Sequence, residues 1–172
     1  MSIQKKFTTP LGLLSMTGLM MLSAGQLSAA TATATASVTI SDAPITLTNT
    51  TPLSFGEIAP GTAASVVTLA NDGTRTVTSG DVTLGADAGS AAVFDLEGEA
   101  NKSYTITMPA GDVTLTDASG ATLTVNSFTH NATGTIPATG VETFNVGAQL
   151  NIDANQAAGS YSGSFTVEVV YN

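Results

Sequence analysis

Residues 160–171 read SYSGSFTVEVVY, and this stretch decides the predicted fold. Over its second half, apolar side chains recur at every second position. One face carries Phe165, Val167, Val169 and Tyr171. A period of two is typical of a half-buried strand, because successive side chains of a strand point to opposite faces. The pattern therefore predicts a final β-strand over residues 160–171. At an open sheet edge such an apolar strand would be an aggregation hazard, so its apolar face needs a partner.

The same period of two recurs through the chain after residue 42. These segments are rich in Thr, Val and Ile, whose branched side chains suit a pleated surface. Turn residues such as Asn71-Asp72-Gly73 and Pro109-Ala110-Gly111 separate them. Upstream of the final strand, we predict strands over residues 43–48, 65–69, 74–84, 102–108, 112–116, 121–128 and 142–152. Eight or more short strands without crossover helices predict an all-β fold, an antiparallel sandwich, and no linker-like change of composition divides residues 43–172.

Composition excludes much of catalytic and metal chemistry. The 172 residues include no Cys and a single His, His130, so the chain has no disulfide framework, no thiolate zinc site and no cysteine nucleophile. Because no second His or Cys can complete a metal set or a nucleophile pair, we predict a structural role for His130. We therefore expect a protein that is not an enzyme and that uses no cofactor or metal.

Thirteen acidic residues against four basic ones give the chain a formal charge of −9. This balance argues against nucleic acid as a partner, because phosphate binding requires clustered Lys and Arg. Asp95, Glu97 and Glu99 alternate, so on a strand their carboxylates would share one face, and three carboxylates could hold Ca²⁺. The sequence contains no Asp-x-Asp-x-Asp-Gly loop, however, and the pattern favours a solvated acidic face.

Residues 1–30 have the order of charged, apolar and small residues that is typical of a secretory signal peptide. Lys5 and Lys6 precede an apolar stretch of about 16 residues, and Ser28-Ala29-Ala30 follow it. A membrane anchor is the alternative, but a single span needs about 20 predominantly apolar residues. We therefore predict cleavage after Ala30, no stable membrane span, and export through the inner membrane to the periplasm and then to the cell surface or the medium.

Residues 31–40 alternate without interruption between polar and apolar side chains. One face carries Ala32, Ala34, Ala36, Val38 and Ile40. A chain end is normally under no such constraint. We therefore treat residues 31–42 as an N-terminal extension with two interpretations. The segment folds back as a strand of its own domain, or it is donated to the sheet of another subunit.

The last seventeen residues, 156–172, resemble the C-terminus of chaperone–usher pilins. They form an alternating strand with a penultimate aromatic residue, Tyr171, and a glycine, Gly159, fourteen positions from the end. Residues 43–172 more closely resemble the exported bacterial family known as domain of unknown function 4402, which is similar to the spore coat protein U and archaic pilin domains. This resemblance is carried by residues 53–61 (LSFGEIAPG), residues 146–150 (VGAQL) and the C-terminal stretch.

The resemblance implies an immunoglobulin-like, pilin-like sandwich that lacks one strand. In pilins a periplasmic chaperone pairs with the final strand, and the N-terminal extension of the next subunit later replaces it. Carried over to this chain, the face of Phe165, Val167, Val169 and Tyr171 would meet the chaperone or partner, and residues 31–40 would be the donor strand. We therefore expect a fimbria-like structural subunit that polymerises with itself, with a periplasmic chaperone and an outer-membrane usher as further partners. The alternative is a monomeric secreted or surface-attached binding module, adhesin-like, whose N-terminal strand folds in cis.

Overall fold

The computed structural model of the protein describes residues 30–172. Eleven strands and no helix occur in this range. The strands are β1 Thr46–Thr51, β2 Ile58–Ala59, β3 Ser65–Leu69, β4 Arg75–Ser79, β5 Thr83–Leu84, β6 Ala92–Glu97, β7 Tyr104–Thr107, β8 Val113–Thr116, β9 Thr122–His130, β10 Val141–Ile152 and β11 Glu168–Tyr171. None of the residues in this range forms a helix that could cross a membrane.

The largest sheet is organised around β10, which pairs with three other strands. Its first half, Val141–Val146, pairs with β6, and its second half, Ala148–Ile152, pairs with β3. β9 pairs along the opposite edge, since Val146 lies opposite both Ala92 of β6 and His130 of β9. β1 extends the sheet beyond β6, β4 extends it beyond β3, and β8 extends it beyond β9. Every ladder among the described strands is antiparallel.

The final strand, β11, lies in a second layer against β7. Upstream of β11, Ser162 pairs with Thr116 at the end of β8, so the C-terminal segment runs antiparallel to β7 and β8 in turn. β2 and β5 form a separate two-stranded ribbon. Antiparallel sheets that face each other across an apolar interior make an all-β, sandwich-like fold. This confirms the fold class predicted from the sequence.

Two clusters of buried side chains join the layers. The first groups Phe55, Val67, Leu69, Val82, Val125, Ala148, Leu150 and Ile152. The second groups Ala92, Phe94, Leu96, Tyr104, Ile136, Phe144 and Val146. β10 contributes to both, because its inward-facing residues alternate along almost its whole length. Each large apolar side chain buried in this way contributes about 1.5–3 kcal/mol to the free energy of unfolding.

A buried carboxylate ties the two layers together beside the second cluster. Glu142 of β10 accepts hydrogen bonds from the Tyr104 hydroxyl at 2.7 Å and from the Thr133 backbone N–H at 2.8 Å. Burial raises the pKa of the Tyr104 hydroxyl, and the bond to Glu142 adds to this increase. Because a buried carboxylate without partners is costly, these bonds are what make its position tolerable.

Several predicted strand bounds need correction. β3 has the predicted bounds and β10 begins one residue early, but the strand predicted over residues 43–48 begins only at Thr46. The strand predicted over residues 74–84 is split into β4 and β5 at Gly80, whose φ of 91° and close approach to Ser65 break the ladder. β6 was not among the predicted strands, although the alternation of its acidic residues was noted. Its inward-facing residues nevertheless place it at the centre of the second cluster.

The alternating segment of residues 31–40 forms no strand. Its two largest apolar side chains, Val38 and Ile40, are 82% and 89% exposed. A strand needs a neighbouring backbone to satisfy its N–H and C=O groups, so an alternating sequence is not sufficient to make one. Residues 1–29, which contain nearly all of the predicted signal peptide, lie outside the described residues.

Candidate functional site

The C-terminal segment shows the alternation of burial that its sequence predicts. Four side chains of the predicted face are half-buried and pack against the second core cluster: Phe165, Val167, Val169 and Tyr171. The residues between them are exposed. The Phe165 ring lies 4.9 Å, centroid to centroid, from the Phe128 ring. The structure therefore brings these four predicted residues together on one inward face.

Regular pairing of this segment is limited to its two ends, which corrects the strand predicted over residues 160–171. β11 pairs with β7 only over Glu168–Tyr171, and Ser162 forms an isolated bridge with Thr116. Between these points, residues 163–167 have no backbone hydrogen bond to any part of the chain that the structure describes.

The gap in pairing has a geometric cause. The pairs Thr107–Glu168 and Thr116–Ser162 are nine residues apart along β7 and β8 but only six apart along the C-terminal segment. The surplus residues between β7 and β8 therefore bulge out of register. As a result, residues 163–167 make no ladder bonds to β7 or β8.

A groove of about 620 Å³ lies where the C-terminal segment begins, and Gly163 is the residue of 163–167 that lines it. Its walls are residues 53–58 on one side and residues 156–163 on the other. Its apolar floor consists of Leu115, Leu123, Leu150 and Ile152. A smaller apolar pocket of about 50 Å³ lies between Phe55 and Phe165. We call this groove, with its small pocket and residues 163–167, the C-terminal groove.

The first wall is fixed by an arginine from the neighbouring hairpin. Nη1 of Arg75 donates hydrogen bonds to the carbonyl oxygens of Phe55 and Glu57, and Nη2 donates to that of Gly85 at 2.9 Å. The wall also requires glycine at Gly56, whose φ is +66° and where a Cβ would lie 2.2 Å from the carbonyl oxygen of Asp87. One guanidinium therefore holds the wall in place through three backbone carbonyls.

The second wall depends on close backbone contact with β8. At Gly163 a Cβ would lie 2.5 Å from the carbonyl oxygen of Thr114, so a larger residue would push the wall away. At its other end, the Tyr161 hydroxyl donates to the carbonyl oxygen of Ala157 at 2.6 Å and accepts from Nε2 of Gln156 at 2.8 Å. These bonds close the turn that leads into the C-terminal segment.

The charged residues among those that line the C-terminal groove are both acidic. They are Glu57 and Asp87, and the remaining lining residues are apolar or uncharged. A groove of this composition suits an uncharged segment and disfavours an acidic one, because like charges placed side by side are costly.

A second cluster of contacts lies at the other end of the C-terminal segment, around Asp42 and Ala43. The Tyr171 hydroxyl accepts from the Glu99 N–H and donates to the Ala43 carbonyl. The Glu99 carboxylate in turn accepts from the Ala43 N–H at 3.0 Å. Lys102 pairs with Asp42 at 2.9 Å, and this pairing raises the pKa of Lys102. We call these five residues the root clamp, because they fix the chain directly after the N-terminal extension.

The other residues considered from the sequence do not form a joint site within the described residues. His130 ends β9, and its Nδ1 accepts a hydrogen bond from the Ala132 N–H at 3.3 Å. Asp95 and Glu97 point outward from β6, whereas Glu99 lies beyond that strand in the root clamp. Within residues 30–172, no three His, Cys, Asp or Glu side chains are placed to hold a metal ion.

Neither the first wall nor the root clamp was predicted from the sequence. Phe55 and Gly56 lie in the stretch that carries the family resemblance, but no role was assigned to them. Arg75 and Lys102 are the only cations after the predicted signal peptide. An isolated Arg or Lys in an acidic, strand-rich chain is expected to bond to specific acceptors. This rarity could have identified both residues from the sequence.

Comparison with known proteins gives one result for this chain. The family described as Domain of unknown function (DUF4402) matches residues 45–171. No curated protein and no solved structure matches the chain.

Proposed function

The chain belongs to the DUF4402 family, and we propose that it is an exported structural subunit of a cell-surface fibre that assembles by strand addition. Each subunit would receive residues 31–40 of a second copy in its C-terminal groove. It would donate its own residues 31–40 to another copy.

The observation that carries the proposal is the unpaired backbone of residues 163–167 beside an apolar groove. Free N–H and C=O groups at a strand edge are a template for pairing with another chain. A strand added there would satisfy these groups and cover the apolar floor, which is how extended segments bind open sheet edges.

Residues 31–40 have the chemistry that such a groove needs. The segment is uncharged, and ten residues in a strand span about 33 Å, which matches the ten residues from Ser162 to Tyr171. Each added backbone hydrogen bond would contribute about 0.5–1.5 kcal/mol. Burial of Val38 and Ile40 would add about 1.5–3 kcal/mol each. The small Ala side chains require little depth in the groove.

The root clamp gives the assembly a direction. If the added strand runs antiparallel to the C-terminal segment, its Ile40 end lies beside Ser162 of the receiving copy. The root clamp of the donor then meets the groove end of the receiver. This contact joins two different surfaces, and repetition of such head-to-tail contacts produces an open fibre rather than a closed dimer.

Export and helper proteins complete the proposal. Residues 1–30 have the pattern of a cleaved leader. Until a donor arrives, the open edge at residues 163–167 needs temporary cover. This need is the reason for proposing a periplasmic chaperone and an outer-membrane usher as partners. We propose no catalytic activity, cofactor or nucleic-acid partner.

The test compares the exported protein with a variant that lacks residues 31–41, using native mass spectrometry. We expect a ladder of oligomers from the complete protein and a monomer from the deletion. As a matched pair, Val38→Thr with Ile40→Thr should weaken the ladder, whereas Ser37→Ala with Thr39→Ala should leave it unchanged. A heat-stable monomer of the complete exported protein would exclude strand donation as the main mode.

A second candidate function is a monomeric secreted or surface-attached binding module, adhesin-like, with the N-terminal segment folded in cis. The observation that favours a monomer is that the family match begins at residue 45, so residues 31–40 lie outside the matched domain. The same native mass spectrometry experiment separates the two candidates.

A further inference from the structure

The larger cavity of the C-terminal groove, which we call the main cavity, is charged at its rim and apolar at its base. Glu57 and Asp87 line it and are exposed, so their carboxylates lie at the rim. Leu150 and Ile152 at the base are only 4% and 5% exposed, and both belong to the first core cluster. The main cavity therefore presents acidic groups to solvent and aliphatic surface inside.

The two rim carboxylates lie on segments that are bonded to each other. The Glu57 N–H donates to the Asp87 carbonyl at 3.1 Å, and the Gly85 N–H donates to the Glu57 carbonyl at 2.8 Å. Neither carboxylate forms an ion pair with any residue that the structure describes. Arg75 bonds to the same wall, but its guanidinium donates to backbone carbonyls. The acidic rim therefore lacks the positive charge that would complement it.

The main cavity has room for a small molecule. Its volume of about 620 Å³ lies within the range of about 300–1,000 Å³ that is typical of ligand pockets, which combine an apolar lining with a few polar groups. A donated strand would follow residues 162–171, and among these only Ser162 and Gly163 line the main cavity. Most of the main cavity therefore lies beyond the edge that strand addition would use.

We infer that the main cavity binds a cationic amphiphile, a molecule with a primary ammonium group and an aliphatic tail. An ammonium carries three N–H donors, so one group can bond to both Glu57 and Asp87. The tail lies over the apolar base and removes its surface from water, which is favourable in proportion to the apolar area buried. An alkyl carboxylate of the same length places a negative charge beside two others and is disfavoured. This inference goes beyond strand addition and does not depend on it.

Three probes that share one tail test the charge preference. Octylamine, octanol and octanoate are titrated separately into the exported protein at pH 7 and followed by isothermal titration calorimetry. We expect octylamine to bind about threefold to tenfold more tightly than octanol, because two exposed charge pairs each contribute modestly. Octanoate should bind more weakly than octanol. Hexylamine should bind about tenfold more weakly than octylamine, because two fewer methylenes are buried.

Paired variants locate the binding site. Glu57→Gln with Asp87→Asn should give octylamine and octanol equal affinities. Asp95→Asn with Glu97→Gln removes two charges from the outer surface of β6 and should keep the preference for octylamine.

A second pair of variants tests the cavity itself. Ala158 lines the main cavity and is exposed, so Ala158→Trp should fill the space and abolish binding of both probes. Ala154→Trp is the matched control, because Ala154 is exposed and lies outside the lining.

Equal affinities of the natural chain for octylamine and octanol, or no binding of either, would overturn the inference. Loss of the preference in the β6 control as well would also overturn it, because net charge rather than the rim would then attract the amine. Unchanged binding to Ala158→Trp would place the ligand elsewhere and reject the main cavity as the site. The oligomer ladder in native mass spectrometry is a separate measurement, so each of these results leaves strand addition intact.

Discussion

The side-chain oxygen of Tyr171 lies 2.7 Å from the backbone nitrogen of Glu99 and accepts its hydrogen. The same hydroxyl donates to the carbonyl oxygen of Ala43 at 3.1 Å. Gly98 leaves room for this contact, since a Cβ there would lie 2.4 Å from the Tyr171 hydroxyl oxygen. One side chain therefore joins the end of the C-terminal segment to the turn after β6 and to the start of the folded domain.

Tyr171→Phe should weaken the root clamp without creating a cavity in the core. The ring stays in place, but the Glu99 N–H and the Ala43 carbonyl lose their partner, and we expect a loss of about 1–2 kcal/mol in the free energy of unfolding. Limited proteolysis should cut faster between residues 40 and 45. Tyr161→Phe is the matched control, because that hydroxyl bonds at the groove instead. Equal cleavage rates in the two variants would show that the Tyr171 hydroxyl does not hold the root.

Arg75→Met should release the first wall of the C-terminal groove. Three carbonyls lose a charged donor, and hydrogen bonds to charged groups contribute about 1.5–3 kcal/mol each, so we expect a loss of at least about 3 kcal/mol by chemical denaturation. Arg75→Lys should be intermediate, because one ammonium cannot reproduce the planar fork. Lys102→Met removes the other cation from an exposed pair and should change stability little. Similar losses of stability for Arg75→Met and Lys102→Met would show that Arg75 does not hold the first wall of the groove.

Val167→Asp should prevent accumulation of folded protein. Val167 is half-buried against the second core cluster, and a carboxylate there has no partner, so we expect a cost above about 3 kcal/mol. Thr166→Asp, one residue away on the exposed face, is the control and should accumulate normally. The measurements are the yield of exported protein and its thermal unfolding. Normal yield and stability of Val167→Asp would show that this face needs no cover.

Lowering the pH should destabilise the loop that precedes β3. The Asp81 carboxylate accepts hydrogen bonds from the N–H groups of Ala63 and Thr62 and from the Thr62 hydroxyl, and these bonds lower its pKa below the ordinary value of 3.8. Because the pKa is lower in the folded state, this contribution is present above pH 3.8 and is lost as the pH falls through the lowered value. Hydrogen bonds in turns also lower the pKa of Asp72 and Asp117.

The measurement is the midpoint of urea unfolding between pH 7 and pH 2. We expect the urea concentration at the midpoint to decrease once the pH is below about 4. Asp81→Asn should lower the stability at pH 7 and make the decrease in stability with falling pH less steep. Asp112→Asn, in the bulged loop before β8, is the control. If Asp81→Asn does not change how the urea midpoint depends on pH, the Asp81 carboxylate does not stabilise this loop.

Local patterns predicted several features of the structure correctly. The turn at Asn71-Asp72-Gly73 joins β3 to β4, with Gly73 at a φ of 84° and the Asp72 carboxylate accepting from the Thr74 N–H. These features depend on a few neighbouring residues, so the sequence alone predicts them. β6, which was not predicted, is the opposite case: its apolar residues are part of the core only because β1 and β10 lie beside it.

The sequence by itself determined the all-β class, the inward face of Phe165 to Tyr171 and the alternation of residues 31–40, because side-chain period and branching are local properties. Only the tertiary structure decided which backbone groups remain unpaired. The register between the C-terminal segment and β7–β8 leaves residues 163–167 without ladder partners, the hydrogen bonds of Arg75 set one wall of the groove, and the Tyr171 hydroxyl bonds to the chain at Ala43. These relationships join residues that are distant in the chain, and no short stretch of sequence carries them.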